Sequence, residues 1–259
     1  MGEVGGLVLA AGYAATGPSG EGDSQQDRPA GHGTSRSDDL PSSQRCADAL
    51  RPVDGGTALA VVLRTLAAVP VERVVVVLGE DAALVRQQVS LAGVSVVELP
   101  EPAPMIASIR AGLEALPDAA GALVWPVDRA LVAIKTVRAL IEAHANGARI
   151  AVPLCALPDE DEGKRGHPVI FDRRLFDALR SAPDSEGAAA VVHSRGAEVV
   201  EVPVEDRGIL VDIASPSTQA FLSRMRAVAK QIGAPQEHPD EGPAGRRPSQ
   251  RKRTPRRPQ

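Results

Sequence analysis

Two aspartates stand where an apolar run meets a turn: Asp128 in ALVWPVDRALV and Asp212 in GILVDIASP. A carboxylate at the end of a buried strand is a hard oxygen ligand on a rigid support. Mg2+ takes one or two such carboxylates together with phosphate oxygens, so a pair on strand ends suits a magnesium–nucleotide complex. Each also has an ordinary reading. Asp128 precedes a helical pattern and can cap it, and spacing alone leaves these two readings equally open. Asp212 before Ala-Ser-Pro can simply begin a loop.

Three further stretches favour anions. In GGLVLAAG an apolar run, Leu7-Val8-Leu9, enters a turn of small residues, Ala10-Ala11-Gly12, where phosphates can approach the backbone closely. That turn brings no cation of its own, since the first lysine of the chain is Lys135. MIASIRAGLEAL follows the proline-rich PEPAP and places Ser108 and Arg110 in the first turns of a helix. Free N–H groups there favour an anion or a nucleotide ribose, although the same residues make an ordinary amphipathic helix. GKRGHPVIF gathers Lys164, Arg165 and His167 among glycines, a loop able to hold a phosphate or an anionic substrate. A lone histidine before proline is more often structural, and no second His or Cys supports a metal there. The preceding DEDE reads as a solvated loop.

The elements that must position these residues are legible in outline. The composition is 43% hydrophobic but only 2% aromatic, so the core is built from Val, Leu, Ile and Ala. Short apolar runs predict strands at 6–10, 73–78, 94–99, 122–127, 149–152, 169–171, 197–202 and 209–211. Between them, helical spacing aligns Leu59, Val62, Leu63 and Leu66, then Ile134, Val137 and Ile141, then Phe221, Met225, Val228 and Ile232. Continuous apolar strands alternating with amphipathic helices predict an α/β domain with a mainly parallel sheet. In such sheets ligands bind beyond the carboxyl ends of the strands, which is where Ala10–Gly12 and Asp128 fall. Residues 14–47 read as a low-complexity insertion, either disordered or an active-site flap.

The formal net charge is −4, yet the last fourteen residues carry seven positive charges. From Pro235 onward the chain reads as a disordered basic tail, solvated or touching a polyanion such as nucleic acid. Two cysteines, Cys46 and Cys155, make no disulfide framework, so a reducing, cytoplasmic setting is the default expectation. No apolar run reaches membrane length, and the first residues lack the basic start of a signal peptide.

LVLAAG, PVDGGTALAVVLRTLAA, VVVVLG, MIASIRAGLEAL, WPVDRALVAIKTVRALI, GHPVIFDRRLFDAL and GILVDIASPS occur in series, and together they resemble the MobA-like nucleotidyltransferases. The molybdenum cofactor cytidylyltransferase branch is the most similar, from Gly5 to about Arg226. The resemblance implies a Rossmann-like, mainly parallel sheet of the glycosyltransferase-A type across residues 1–234, with 14–47 inserted and 235–259 as tail. It implies transfer of a nucleoside monophosphate from CTP or GTP to a small phosphorylated acceptor, such as a molybdopterin-like cofactor, with Mg2+ and release of pyrophosphate. Protein groups mainly position and neutralise charge in such chemistry. Asp128 then matches the family's metal-binding aspartate, with Asp212 the candidate second carboxylate. Leu9, Ala10, Ala11, Gly12 and Ser108 fall beside the nucleotide, and Gly166 and His167 fall in the acceptor loop. The chain departs from the pattern in its opening loop. Asp48 stands where the family's triphosphate-binding lysine belongs, and Ala130 and Ala214 replace a Pro and an Asp or Asn. Those departures imply an alternative, a degenerate member acting as a regulatory or interaction protein.

Overall fold

The apolar run Val4–Ala10 forms β1, buried along its length as far as Leu9. The computed structural model describes residues 3–11, 48–53, 56–99, 101–156 and 163–233, so the expectations for Gly12, the insertion 14–47 and the tail 235–259 lie outside the described residues. After a short 3-10 turn at Asp48–Leu50, β2 (Pro52–Val53) and β3 (Gly56–Thr57) pair antiparallel and deliver α1 (Ala58–Ala67). The Thr57 hydroxyl accepts from the Ala60 N–H and caps that helix. The chain then alternates as the apolar pattern predicts: β4 (Val74–Leu78), α2 (Ala82–Gln88), β5 (Ser95–Glu98), α3 (Met105–Glu114), β6 (Gly121–Pro126) and α4 (Ile134–Ala145). It continues through β7 (Ile150–Cys155), β8 (Lys164–Arg165), β9 (Val169–Asp172), α5 (Phe176–Ser181), α6 (Ala188–Ser194), β10 (Val199–Val204) and α7 (Pro216–Gly233).

The main sheet runs β10-β7-β9-β6-β1-β4-β5, with β8 on the side of β7. β1 is parallel to β4 and β6, β4 to β5, and β10 to β7, whereas β9 runs antiparallel between β6 and β7. The reversal decides which loops meet at one edge. It brings the amino end of β9, and the Gly166–Pro168 loop before it, to the same edge as the carboxyl ends of β1 and β6.

Alternate residues of the sheet feed two cores. Val8 and Trp125 pack on the face covered by α1 and α4, and Leu7, Leu9 and Phe171 on the face covered by α3 and α5. Burial on both faces explains why these strands read as unbroken apolar runs. One expected strand is absent. Residues 207–210 form a 3-10 turn, Arg207–Leu210, rather than part of a ladder. Asp206 begins it by accepting from the Gly208 N–H at 2.9 Å, and the Ile209 carbonyl is taken by the His167 N–H at 3.1 Å. The Gly208 and Ile209 N–H groups and the Gly208, Ile209 and Leu210 carbonyls are thus taken by the turn, by His167 and by Arg129 rather than by a strand partner.

Candidate functional site

The carboxyl edge of the sheet gathers what the sequence scattered. Asp128 lies in a 3-10 turn, Val127–Arg129, directly after β6 and beside the end of β1. Its side chain caps no helix. Oδ1 is buried and has no hydrogen-bond partner among the described residues. The Oδ2 atom lies 3.7 Å from Nε of Arg129, and NH2 of the same guanidinium lies 3.7 Å from Oδ2 of Asp212. The Asp212 segment is tied back to the turn because the Ile213 N–H donates to the Asp128 carbonyl at 2.9 Å. Asp212 Oδ1 is engaged with the Ala214 N–H at 2.7 Å, so Oδ2 is the oxygen that faces the site. Asp212 therefore follows a 3-10 turn, two residues after its end, rather than a strand, yet it reaches the same edge as Asp128.

Electrostatics mark Asp128 as an unsettled charge. Burial pushes its carboxyl up, Arg129 pulls it down, and Asp212 and Asp48 push it up again, to about 6 from an ordinary 3.8. Two acids from distant parts of the chain thus act on it together. Among the described residues no group of three or more His, Cys, Asp or Glu forms a metal cage. Two carboxylates completed by phosphate oxygens is an arrangement these residues fit, and the orphaned Oδ1 of Asp128 is the atom a divalent cation would satisfy.

The Gly166–His167 loop approaches from the side of β9. The Gly166 N–H donates to the Pro153 carbonyl at 3.0 Å, and a Cβ at Gly166 would sit 2.5 Å from the Ile209 carbonyl oxygen. Only a glycine lets the loop lie this close to the turn. His167 Nδ1 is buried and unpartnered among the described residues. Burial, with Arg129 adding to it, holds the imidazole down at about 4, so the ring is neutral at physiological pH.

Other expected residues are placed differently. Ala10 is half-buried at the carboxyl end of β1, and Ala11 after it is buried in the core as Leu9 is. Ser108 is in the first turn of α3 but only 1% exposed, and its Oγ has no partner among the described residues. Arg110 does not face an anion site. Its guanidinium clamps the Arg180 and Ala182 carbonyls and pairs with Asp184 at 2.7 Å, fastening α3 to the end of α5. Arg165 pairs with Glu201 across the sheet. Asp48, at the position the resemblance assigns to lysine, pairs with Arg51 at 2.5 Å. Sequence reading missed Arg129, whose signal was small: a cation immediately after the singled-out acid, with nothing to say which way it points.

A mostly parallel, doubly covered sheet with paired carboxylates at its carboxyl edge defines a Rossmann-like α/β protein. Residues 45–206 match the MobA-like NTP transferase domain, and the chain belongs to that family. The matched segment includes Asp128 and His167 but neither β1 nor Asp212. Among solved structures, the chain is similar to Rv0371c from Mycobacterium tuberculosis H37Rv at 25% identity and a TM-score of 0.64, covering 85% of this chain and 97% of that one. The complex of Rv0371c with manganese aligns at 25% identity and 0.57, over 78% and 88%. A nucleotidyl transferase from Methanothermobacter thermautotrophicus shares the fold at 21% identity and 0.62, over 89% and 99%. None of the curated proteins matches the chain.

Proposed function

We propose that the protein is a nucleotidyltransferase that moves a nucleoside monophosphate from CTP or GTP to a small phosphorylated acceptor. A phosphate oxygen of the acceptor forms a bond to the α-phosphorus, the α–β anhydride bond breaks, and pyrophosphate leaves. The observation that carries this reading is the buried, unpartnered Asp128 Oδ1 at the carboxyl edge, beside a second carboxylate. Asp128 and Asp212 would hold Mg2+, which when bound neutralises phosphate charge. Leu9, Ala10, Ala11 and Gly12 would border the nucleotide, with Ser108 supporting the first turn of α3 from behind. The Gly166–His167 loop would seat the acceptor, its neutral imidazole able to take a hydrogen bond at the vacant Nδ1. On this reading residues 1–234 form the catalytic domain, interrupted by 14–47, with 235–259 a basic tail.

One observation favours a second reading. Asp48 and Arg51 neutralise each other at the place where the resemblance puts a triphosphate-binding lysine. A degenerate member with a regulatory or interaction role would show this loss. Thermal shift with CTP, GTP, ATP and UTP, with and without Mg2+ or Mn2+, separates the two. The enzyme reading expects CTP or GTP to raise the melting temperature only with a divalent cation, since a ligand of the folded state stabilises by mass action. No response to any nucleotide, together with a large gain in Asp48→Lys, supports decay of a site whose scaffold persists.

A further inference from the structure

The lysine that Asp48 replaces has a counterpart in Arg129, the cation that directly follows Asp128. Among the described residues Arg129 makes four contacts. Nε faces Asp128 and NH2 faces Asp212, each at 3.7 Å, while NH1 donates to the Leu210 carbonyl at 3.1 Å. Its own carbonyl accepts from the Trp125 indole N–H at 3.0 Å, which holds the backbone, while among these contacts the one hydrogen bond on the guanidinium itself is that to Leu210. A distance of 3.7 Å is too long for a hydrogen bond, so neither carboxylate commits the head group. The guanidinium balances two carboxylates without being locked to either. Its side chain is 25% exposed, at the edge where phosphates must arrive.

We propose that Arg129 is a cation that changes partners. In the free protein it screens Asp128 and Asp212 from each other. When a divalent cation takes those carboxylates, the guanidinium is released toward the phosphates, where its planar fork fits two oxygens at once. This rests on the reading of Asp128 and Asp212 as metal carboxylates and deepens it. Arg129 becomes the positioning residue for the triphosphate or for the acceptor phosphate, in place of the lysine that Asp48 replaces. It follows that Arg129 and the metal compete in the free protein and cooperate once nucleotide is bound. A residue that merely holds the turn together cannot do both.

The test is calorimetric titration of the full chain and of Arg129→Gln with Mn2+ alone, then with CTP and GTP in the presence of Mn2+. Removing a charge-assisted contact is expected to change each affinity about tenfold. The Gln variant should bind Mn2+ alone more tightly, and nucleotide with Mn2+ more weakly, than the wild type. Arg129→Met keeps the aliphatic stem, carries the same two expectations and serves if the Gln variant folds poorly. Loss of both affinities in the variants would make Arg129 structural and overturn the proposal. Mn2+ affinity unchanged, or nucleotide affinity unchanged, would overturn it while leaving the nucleotidyltransferase reading standing. A folded wild type that binds neither Mn2+ nor nucleotide would overturn that reading and this one with it.

Discussion

The two edges of the sheet carry the same kind of residue pair in opposite states. At the amino edge, Asp172 ends β9 with both oxygens engaged. Oδ1 accepts from the Arg174 N–H at 2.9 Å and from Nε at 2.7 Å, and Oδ2 accepts from NH2 at 3.1 Å. Burial alone would push that carboxyl up, but the bonds from Arg174 outweigh it and hold it below its ordinary value. At the carboxyl edge, Asp128 also has an arginine beside it, yet the gap is 3.7 Å, one oxygen is orphaned, and the carboxyl is pushed up to about 6. A cavity of about 440 Å³ opens at the amino edge, lined by Val4, Ile141, His144 and Asp172 among others. Volume alone does not make that cavity the site, because Asp172 and Arg174 already satisfy each other. The closed pair supports the fold. The open pair leaves charge available for a ligand, and such local inconsistencies are where function is expected.

The largest contrast should come from removing each acid. Asp128→Ala is expected to abolish any metal-dependent thermal shift with nucleotide and to leave the melting temperature without ligand at or above that of the wild type. A desolvated, half-paired carboxylate contributes little to the folded state. An unchanged nucleotide response in the folded variant would place the ligand elsewhere and break the comparison.

Next in size is a steric change. Gly208 lies against the chain before α4, and a Cβ there would collide with the Leu131 carbonyl oxygen. The neighbouring Asp206 ties the same junction through the Ala133 N–H at 2.8 Å and the Thr136 hydroxyl at 2.6 Å. Gly208→Ala is expected to cost about 1–3 kcal/mol, as overpacking does, and to move the Arg207–Leu210 turn off the His167 loop. Urea denaturation measures the cost. A neutral result would mean that the edge yields easily and that its geometry is not fixed by this junction. Asp172→Ala should be milder, about 1 kcal/mol for a lost cap, with the nucleotide response intact. Loss of that response would erase the distinction between the edges.

How far these edges could be read from sequence depends on the signal each residue leaves. Strands such as Val74–Leu78 and Gly121–Pro126 announce themselves, because burial on both faces demands unbroken apolar runs. The end of β6 therefore located Asp128. Nothing in Val169–Asp172 shows that β9 runs backward, since direction is set by pairing with β6 and β7, so the arrival of His167 at the edge was not derivable from periodicity. Ile209 misled for a related reason: an apolar triplet buries equally well in a strand or in a 3-10 turn, and the Asp206 cap decided it. Arg110 looked like an anion ligand because a helix start is electropositive, but a long side chain can turn away to carbonyls seventy residues on. The reach of Arg129 to Asp212 and Leu210 is of the same non-local kind.

The smallest effect in the wild type is the most discriminating, because it arises from a near cancellation. Asp128 holds its proton up to about pH 6 in the folded state, against an ordinary 3.8. Between those values the folded chain binds a proton that the unfolded chain has lost, so this group makes stability fall as pH rises. His167 does the reverse. Its folded value of about 4 lies below the ordinary 6.5, so the unfolded chain binds the extra proton and stability rises with pH across that window. From pH 4 to 6 the two slopes oppose each other, and together they leave the wild type nearly flat apart from the background of other groups. Comparing variants at the same pH values removes that background. Asp128→Asn should leave the histidine slope alone, with stability climbing toward pH 6 by at most about 1.4 kcal/mol per pH unit. His167→Gln should tilt the curve the other way, with stability falling over the same range. Urea midpoints at pH 4, 5 and 6 read both. If Asp128→Asn merely parallels the wild type, the Asp128 carboxyl is as settled as that of Asp172. The carboxyl edge would then be closed like the amino edge, and the charge assigned to a ligand would already have its partner.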